Sequence, residues 1–499
     1  MSYVIGIDGG TESLRAFVID LEGRVVASHA TSYETDFPAA AMAEQSPEDW
    51  WSAIGESVKG ALKKASVSPV DIRALAVDCT CCTVVALDDK NQPLNPALLW
   101  MDVRAHVEAA DVAACDDIAL SVNGDGQDPV SAEWMIPKAL WLKRHRPEVY
   151  KSARRICEYQ EYINLRLTGR YVGSLLTASI RWHYHAERGF PDSLLQKLEL
   201  VELREKWPDE IIAAGDIVGG LTGEAASHLG LPVDTPVAQG GADAMVGMIG
   251  LGVVEAGEMA LITGSSHLHL GLSSRDIYKR GVFGSYRDAV YPGLNLLEGG
   301  QTSTGSVIAW FKRQFAQGQS YEELNKAAAL IAPGSDGVRA LDHFQGNRTP
   351  YVDPFSRGAL SGLSLNHAPQ HIYRAIIESI CLGTRVIVDS FDTDFKRIVV
   401  AGGATNSDLW MQIHADTLQL PLQVTEVSDA PALGCAILAA VACGAYSDIN
   451  RACADMVKIS GQIEPNPSYS EDYAELLEEY RELYQSLKLM REKIQLSRQ

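Results

Sequence analysis

Two strand–turn–strand patterns, one in each half of the chain, limit its fold more than any other feature. At the start, Val4-Ile5-Gly6-Ile7 runs into Asp8-Gly9-Gly10-Thr11, and Leu14-Arg15-Ala16-Phe17-Val18-Ile19 resumes the strand. In the second half, Met259-Ala260-Leu261-Ile262 runs into Thr263-Gly264-Ser265-Ser266, and His267 to Leu272 resumes. Apolar, β-branched runs broken by small turn residues are what hairpins require. Two similar hairpins so far apart predict two related units facing each other across a cleft. The length agrees, because 499 residues exceed what one ordinary core accommodates.

Between the hairpins the patterns mix. Trp50 to Ala65 has helical spacing, Ala74 to Leu87 reads as a strand region, and Ser131 to Leu165 reads as largely helical. The class is therefore α/β. Glycines cluster from Gly247 to Gly257, which divides the chain into segments 1–250 and 251–465. Segment 466–499 is a C-terminal helix with Leu476, Leu477, Tyr480, Leu483, Tyr484 and Leu487 on one face. The longest apolar run, Ala430 to Tyr446, is shorter than the roughly 20 residues of a spanning helix and reads as a buried helix.

A net charge of -21 opposes non-specific binding to nucleic acid or to anionic membranes. It leaves room for a nucleotide, whose phosphates backbone amides and a metal ion can hold locally. The opening residues lack the basic and apolar regions of a secretory signal. Nine scattered cysteines read as reduced thiols, and a cytoplasmic protein is expected.

Phosphoryl transfer needs amides and hydroxyls around phosphates, a metal site, and a base that orients the attacking hydroxyl. Asp8-Gly9-Gly10-Thr11-Glu12-Ser13 offers glycines for close backbone approach and a carboxylate at a strand end that suits Mg2+. Thr263-Gly264-Ser265-Ser266 offers an opposing clamp. Either segment alone is also compatible with a plain glycine turn. Arg397 to Ser407 runs from a buried strand through Gly402-Gly403-Ala404 to a helix capped by Asn406 or Ser407. It matches neither a P-loop nor a dinucleotide fingerprint.

Taken together these segments resemble the FGGY carbohydrate kinases. Asp8 to Ser13 with Arg15 is similar to their first phosphate motif, and Leu99-Trp100-Met101-Asp102-Val103-Arg104 to their tryptophan–acid–arginine signature. Gly240-Gly241-Ala242-Asp243 is similar to the segment of the catalytic aspartate, and Thr263 to Ser266 to the second phosphate loop. Tyr351 to Leu363 resembles the C-domain signature, and Gly402 to Asn406 the adenosine motif. The resemblance implies two actin-like (ribonuclease H-like) domains with a catalytic cleft between them, and ATP and Mg2+ as cofactors. It implies Asp243 as general base, with Asp8 and Asp243 on the metal. Thr11, Glu12, Ser13, Arg15, Thr263, Gly264, Ser265, Gly305, Gly402, Gly403, Ala404 and Asn406 would serve ATP and its phosphates. Asp243 also admits a plainer reading as a helix cap.

Sugar contacts are expected from Thr80 to Thr83 after a strand, Cys81 and Cys82 among them, from Trp100 and Asp102, from Ser131 to Trp134, from Glu298 to Gln301, and from Asp243 itself. Trp100 could equally be a core residue. Cys79 and Cys82, three apart, would point to opposite faces of one strand and make neither a redox pair nor a zinc site. The pairs His183/His185 and His267/His269 lack a third ligand nearby. Within the family, Ser131 to Lys138, Arg181 to Pro191 and Gly300 to Phe311 are most similar to ribulokinases. Cys81-Cys82 departs from the methionine–histidine pair of xylulokinases and from the arginine–glutamate pair of glycerol kinases. The partners implied are a small sugar, foremost a ketopentose such as ribulose, and ATP. Alternatives are a polyol such as ribitol, erythritol or glycerol, or a non-catalytic sensor on the same fold. The oligomeric state stays open, a homodimer included.

Overall fold

A computed structural model of the chain describes residues 2–496. Residue 1 and residues 497–499, the outer ends of segments 1–250 and 466–499, lie outside the described residues. In the first half, Tyr3–Gly9 (β1), Ser13–Asp20 (β2) and Val25–Ser32 (β3) form an antiparallel meander, and Ile72–Cys79 (β4) joins β1 in parallel. Val84–Leu87 (β5) and Arg155–Glu158 (β6) pair in a separate small sheet. Ile217–Gly220 (β7) and Pro236–Ala238 (β8) complete the main sheet in the order β7-β8-β4-β1-β2-β3.

The second half repeats this plan. Glu258–Thr263 (β9) and His267–Ser273 (β10) make the hairpin, followed by Gly284–Arg287 (β11) and Asn295–Gln301 (β12). Arg397–Gly402 (β13) and Leu422–Thr425 (β14) extend it in parallel from β9, and Ile459–Ile463 (β15) closes the edge. The order is β11-β12-β10-β9-β13-β14-β15. Three meander strands beside parallel strands thus occur twice, in a two-domain α/β fold.

The helices that position the site are Pro47–Ala65 (α1), Met135–His145 (α2), Tyr159–Thr168 (α3), Leu175–Arg181 (α4), Asp243–Gly250 (α5) and Gly305–Phe315 (α6). Pro369–Ser390 (α7), Asp408–Leu418 (α8), Ala430–Ala442 (α9) and Ser470–Leu496 (α10) follow. On α10 the stripe buries Leu476, Leu477, Tyr480 and Tyr484 against α7 and its neighbours. No helix among the described residues is long and apolar enough to cross a membrane.

The run from Ala430 is buried because α9 lies between the two sheets. Together with α5 it belongs to one core that reaches β1 and β4 on one side and β9, β10 and β13 on the other. Backbones meet directly at this crossing. A Cβ on Gly434 would stand 2.0 Å from the Val246 carbonyl oxygen, and one on Gly250 1.9 Å from that of Ala430. Gly247 and Gly250, read as part of a boundary, are therefore contact glycines inside α5, and only Gly252 and Gly257 lie in the left-handed turn that leads to β9. Gly434→Ala forces the helices apart. It should cost about 1–3 kcal/mol, seen as a lower thermal midpoint, and an unchanged midpoint would show that the crossing tolerates a methyl group.

Two local expectations change. The stretch from Ser131 to Leu165 is interrupted by β6, whose Ile156 and Cys157 are fully buried when it pairs with β5. The strand region from Ala74 to Leu87 is broken at Thr80 to Thr83, where Cys82 takes a left-handed φ of 62°. Cys79 therefore ends a strand while Cys82 sits in a turn, so the opposite-face argument does not describe them. Tertiary pairing decides both cases, and local spacing does not carry that information.

Candidate active site

The parallel strands of both sheets end at one cleft, the position where open α/β sheets bind ligands. Register brings Asp8 of β1 beside Arg15 of β2 and Asp78 of β4, and Thr263 of β9 beside Gly402 of β13. Asp243 begins α5, just after β8.

Asp243 accepts from the Ala244 N–H at 2.7 Å through Oδ1, and no bond is made by Oδ2 among the described residues. This bond stabilises the ionised form, but burial and the nearby Asp8 charge outweigh it and lift the carboxyl to about 6. A value near neutral pH is what a general base requires. Ala242 is the cap residue of α5, and Asp243, one residue later, accepts from the first-turn Ala244 N–H.

Around Asp243 lies a cavity of about 520 Å³, walled by both halves. The first half contributes Thr11, Trp100, Trp134, Cys81, Cys82 and Arg181, and the second Glu298, Gln301 and Phe283. Trp100 is 39% exposed and donates from Nε1 to the Thr11 hydroxyl at 2.9 Å, so a core role does not describe it. Trp134 is buried, with Phe283 edge-on at 5.9 Å. Gln301 faces the cavity with its amide nearly saturated: Nε2 donates to Asp342 and to the Ile380 carbonyl, and Oε1 accepts from Thr384. Asp102 stands outside the cavity. It is fully buried, and its carboxylate is consumed by Arg104 and the Ala43 N–H, at 2.6–2.9 Å. The signature acid is thus tied to its own arginine two residues away, and sugar contact is not open to it.

Arg181, outside the predicted sugar segments, and Glu298, the first residue of a predicted one, meet at the wall. Arg181 of α4 and Glu298 of β12 form a two-pronged ion pair across the halves, at 2.9 and 3.0 Å, joined by the Tyr286 hydroxyl at 3.0 Å. Arg181 Nε is buried without a hydrogen-bond partner among the described residues. Beneath the wall, the Cys82 N–H donates to Glu158 at 2.6 Å, and the Cys82 carbonyl accepts from the fully buried Lys138 at 2.7 Å. Burial pushes the Glu158 carboxyl up to about 7 and lowers the Lys138 amine. The Arg181–Glu298, Cys82–Glu158 and Cys82–Lys138 partners are 117, 76 and 56 residues apart, so no local pattern announces these pairings.

The phosphate segments also come together, with some groups already engaged. Glu12, Gly264, Ser265, Gly402, Gly403 and Asn406 are exposed, Ser13 is half-buried, and Ala404 is buried. Gly305 opens α6 and donates to the Gly264 carbonyl at 3.2 Å. The Thr263 hydroxyl donates to the Ala401 carbonyl at 2.7 Å and accepts from Ala404 N–H at 3.1 Å, tying the second hairpin to the glycine turn. That turn needs glycine at 402, where φ is 96° and a Cβ would meet the Thr263 carbonyl at 1.9 Å. Arg15 pairs with both Asp8 and Asp429, which links the halves and occupies its guanidinium. Asp78 is buried behind Asp8, and its carboxyl is held well above the usual range by burial and by Asp8.

Comparison with known proteins agrees with this geometry. Residues 3–250 match the N-terminal domain of the FGGY family of carbohydrate kinases, and residues 259–443 match its C-terminal domain. The chain is 32% identical to a ribulokinase of Geobacillus thermodenitrificans, over 97% of this chain and 94% of that one. It is 27% identical to a xylulose kinase of Lactococcus lactis, over 97% of each. The solved structure of a xylulose kinase from Rhodospirillum rubrum superimposes with a TM-score of 0.89 at 28% identity, covering 98% of this chain and 99% of that one. The chain belongs to the FGGY family of carbohydrate kinases and is an ATP-dependent sugar kinase.

Proposed function

We propose that the enzyme transfers the terminal phosphoryl group of ATP to a terminal hydroxyl of a ketopentose, ribulose ahead of xylulose. The observation that carries this reading is the free Asp243 oxygen in a sugar-sized cavity shared by both halves. Asp243 Oδ2 orients the hydroxyl and accepts its proton as the oxygen bonds to phosphorus, and the bond to ADP breaks. The phosphate hairpins hold the nucleotide with backbone amides and serine hydroxyls.

Mg2+ fits the donor set, because Asp8 and Asp243 are hard oxygen ligands near enough for Asp8 to raise the Asp243 carboxyl. When bound, Mg2+ neutralises charge on the phosphate oxygens. Nine free thiols suit a reducing compartment such as the cytoplasm.

Ribulose is favoured by residues brought into one cavity from the three ribulokinase-like stretches: Glu133 and Trp134, Arg181, and Gln301 with Thr302. The relatives named ribulokinase point the same way. A coupled ADP-release assay across pentuloses, pentoses, tetritols and glycerol should give the highest kcat/KM with D- or L-ribulose, and a lower value with xylulose. A polyol exceeding every ketopentose would overturn the substrate while leaving the kinase intact.

A further inference from the structure

Cys81 and Cys82 are adjacent in sequence, and both line the cavity. In a strand, neighbouring side chains point to opposite faces. Here the chain has left β4, and Cys82 takes its left-handed φ of 62°. The two thiols come into contact as a result: Cys82 Sγ donates to Cys81 Sγ at 3.7 Å. Cys82 is buried and Cys81 half-buried, so the pair is approached from the Cys81 side.

The turn that carries the thiols is fixed along its length. Thr80 N–H donates to the Gly9 carbonyl at 3.0 Å, and the Thr83 carbonyl accepts from the Tyr159 N–H at 3.0 Å. The Thr80 and Thr83 hydroxyls share a hydrogen bond at 3.2 Å. Between them, Glu158 and Lys138 hold the N–H and the carbonyl of Cys82. Two sulfurs set side by side on a rigid turn are preorganised for a ligand that binds both.

Their spacing indicates which ligand. Adjacent Cα atoms stand about 3.8 Å apart, short of the roughly 4.4 Å at which disulfides ordinarily begin to close, so a disulfide is disfavoured. A metal centre is not built here either, because among the described residues no group of three or more histidines, cysteines or carboxylates is placed to hold an ion. An atom about 2.3 Å from each sulfur, the usual length of a metal–thiolate bond, reaches both without moving the backbone. Twice that length exceeds the 3.7 Å gap, so the bridging atom sits bent between the sulfurs, and a linear two-coordinate ion does not fit. A trivalent arsenical with one carbon substituent meets these demands. It is thiophilic and pyramidal, it takes two sulfurs, and it brings its own third bond. The cavity of about 520 Å³, with Trp134 and Phe283 in its lining, has room for an apolar substituent.

We propose that Cys81 and Cys82 form a two-thiol binding site for monosubstituted trivalent arsenicals in the wall of the cavity, and that filling it excludes the sugar. Each thiol gives its proton to one of the two arsenic-bound hydroxyls. Two As–S bonds replace two As–O bonds, two waters leave, and arsenic stays trivalent. The exclusion of sugar rests on the reading of this cavity as the sugar site, and the thiol chemistry does not.

The test treats the phosphine-reduced enzyme with phenylarsine oxide and follows intact mass, peptide mapping and sugar binding by calorimetry. The sugar or polyol used is the one that the ADP-release assay ranks first. One equivalent should add to wild type at Cys81 and Cys82 and abolish sugar binding, and saturating sugar should slow the addition. A dithiol such as dimercaptopropanol should restore binding, and a monothiol such as mercaptoethanol should not, because two linked sulfurs act at a high effective concentration. Cys81→Ser and Cys82→Ser, each compared with its own untreated form, should keep sugar binding in the presence of the arsenical, and any adduct should yield to mercaptoethanol. Mapping on wild type reads the site whether or not either variant folds. No adduct at one equivalent, an adduct on other cysteines, or a wild-type adduct that mercaptoethanol removes would overturn the thiol site. An adduct mapped to Cys81 and Cys82 that leaves sugar binding intact would overturn the exclusion, and with it the placement of the sugar in this cavity.

Discussion

Asp243→Asn is expected to lower kcat by roughly 10²-fold or more, the usual scale for a positioned general base. A sugar hydroxyl is a poor nucleophile at neutral pH, and its proton must leave as the bond to phosphorus forms. Asparagine keeps the shape of the side chain and can still accept from the Ala244 N–H, the one hydrogen bond the Asp243 side chain makes among the described residues. What it loses is the capacity to take a proton at the atom that faces the cavity. Sugar and ATP affinities should change much less, because ground-state contacts survive. The measurement is single-turnover phosphorylation with both substrates saturating. A folded Asp243→Asn enzyme with near-wild-type turnover would remove this residue from the chemistry.

Lys138→Met is expected to destabilise the enzyme by about 3–5 kcal/mol, the range for removing one charge from a buried, hydrogen-bonded group of charges. The Lys138 amine is fully buried and donates to the carbonyls of Cys82, Leu98 and Leu99 at 2.7, 3.3 and 2.5 Å. Methionine fills similar volume but takes the ammonium donor from three carbonyls, of which that of Leu99 keeps the Asp102 N–H at 3.0 Å. It also removes the positive charge that favours ionised Glu158, so the carboxyl already lifted to about 7 would rise further. Because Lys138 and Glu158 clamp the two ends of the Cys82 peptide, the sugar wall should loosen as well, raising the sugar KM with less effect on that of ATP. Urea and thermal midpoints together with both KM values provide the check. Unaltered midpoints would show that the buried amine is dispensable.

The fold and the site differ in how far they can be read from the chain. Apolar, β-branched runs broken by Gly9-Gly10 and Gly264 specify hairpins, because strand preference and turn chemistry act over a few residues. The stripe from Leu476 to Leu487 specifies α10 in the same way, and the apolar run from Ala430 marks a buried helix. The order of motifs carries the family and, through it, the two-domain plan and the kinase chemistry.

The direction of each side chain at the cleft depends on partners far away in sequence. Asp102 and Trp100 share one signature, yet packing against Ala43 and Arg104 buries the acid while the indole reaches Thr11. Arg181 and Glu298 are 117 residues apart, and only apposition of the two halves makes them a pair. The same holds for Lys138 beneath Cys82 and for β6 inside an apparently helical stretch. Local sequence sets backbone preference and the burial period within one element. Which polar group is spent inside the protein and which is left for a ligand is set by long-range packing, because one buried partner at hydrogen-bond distance outweighs any local propensity.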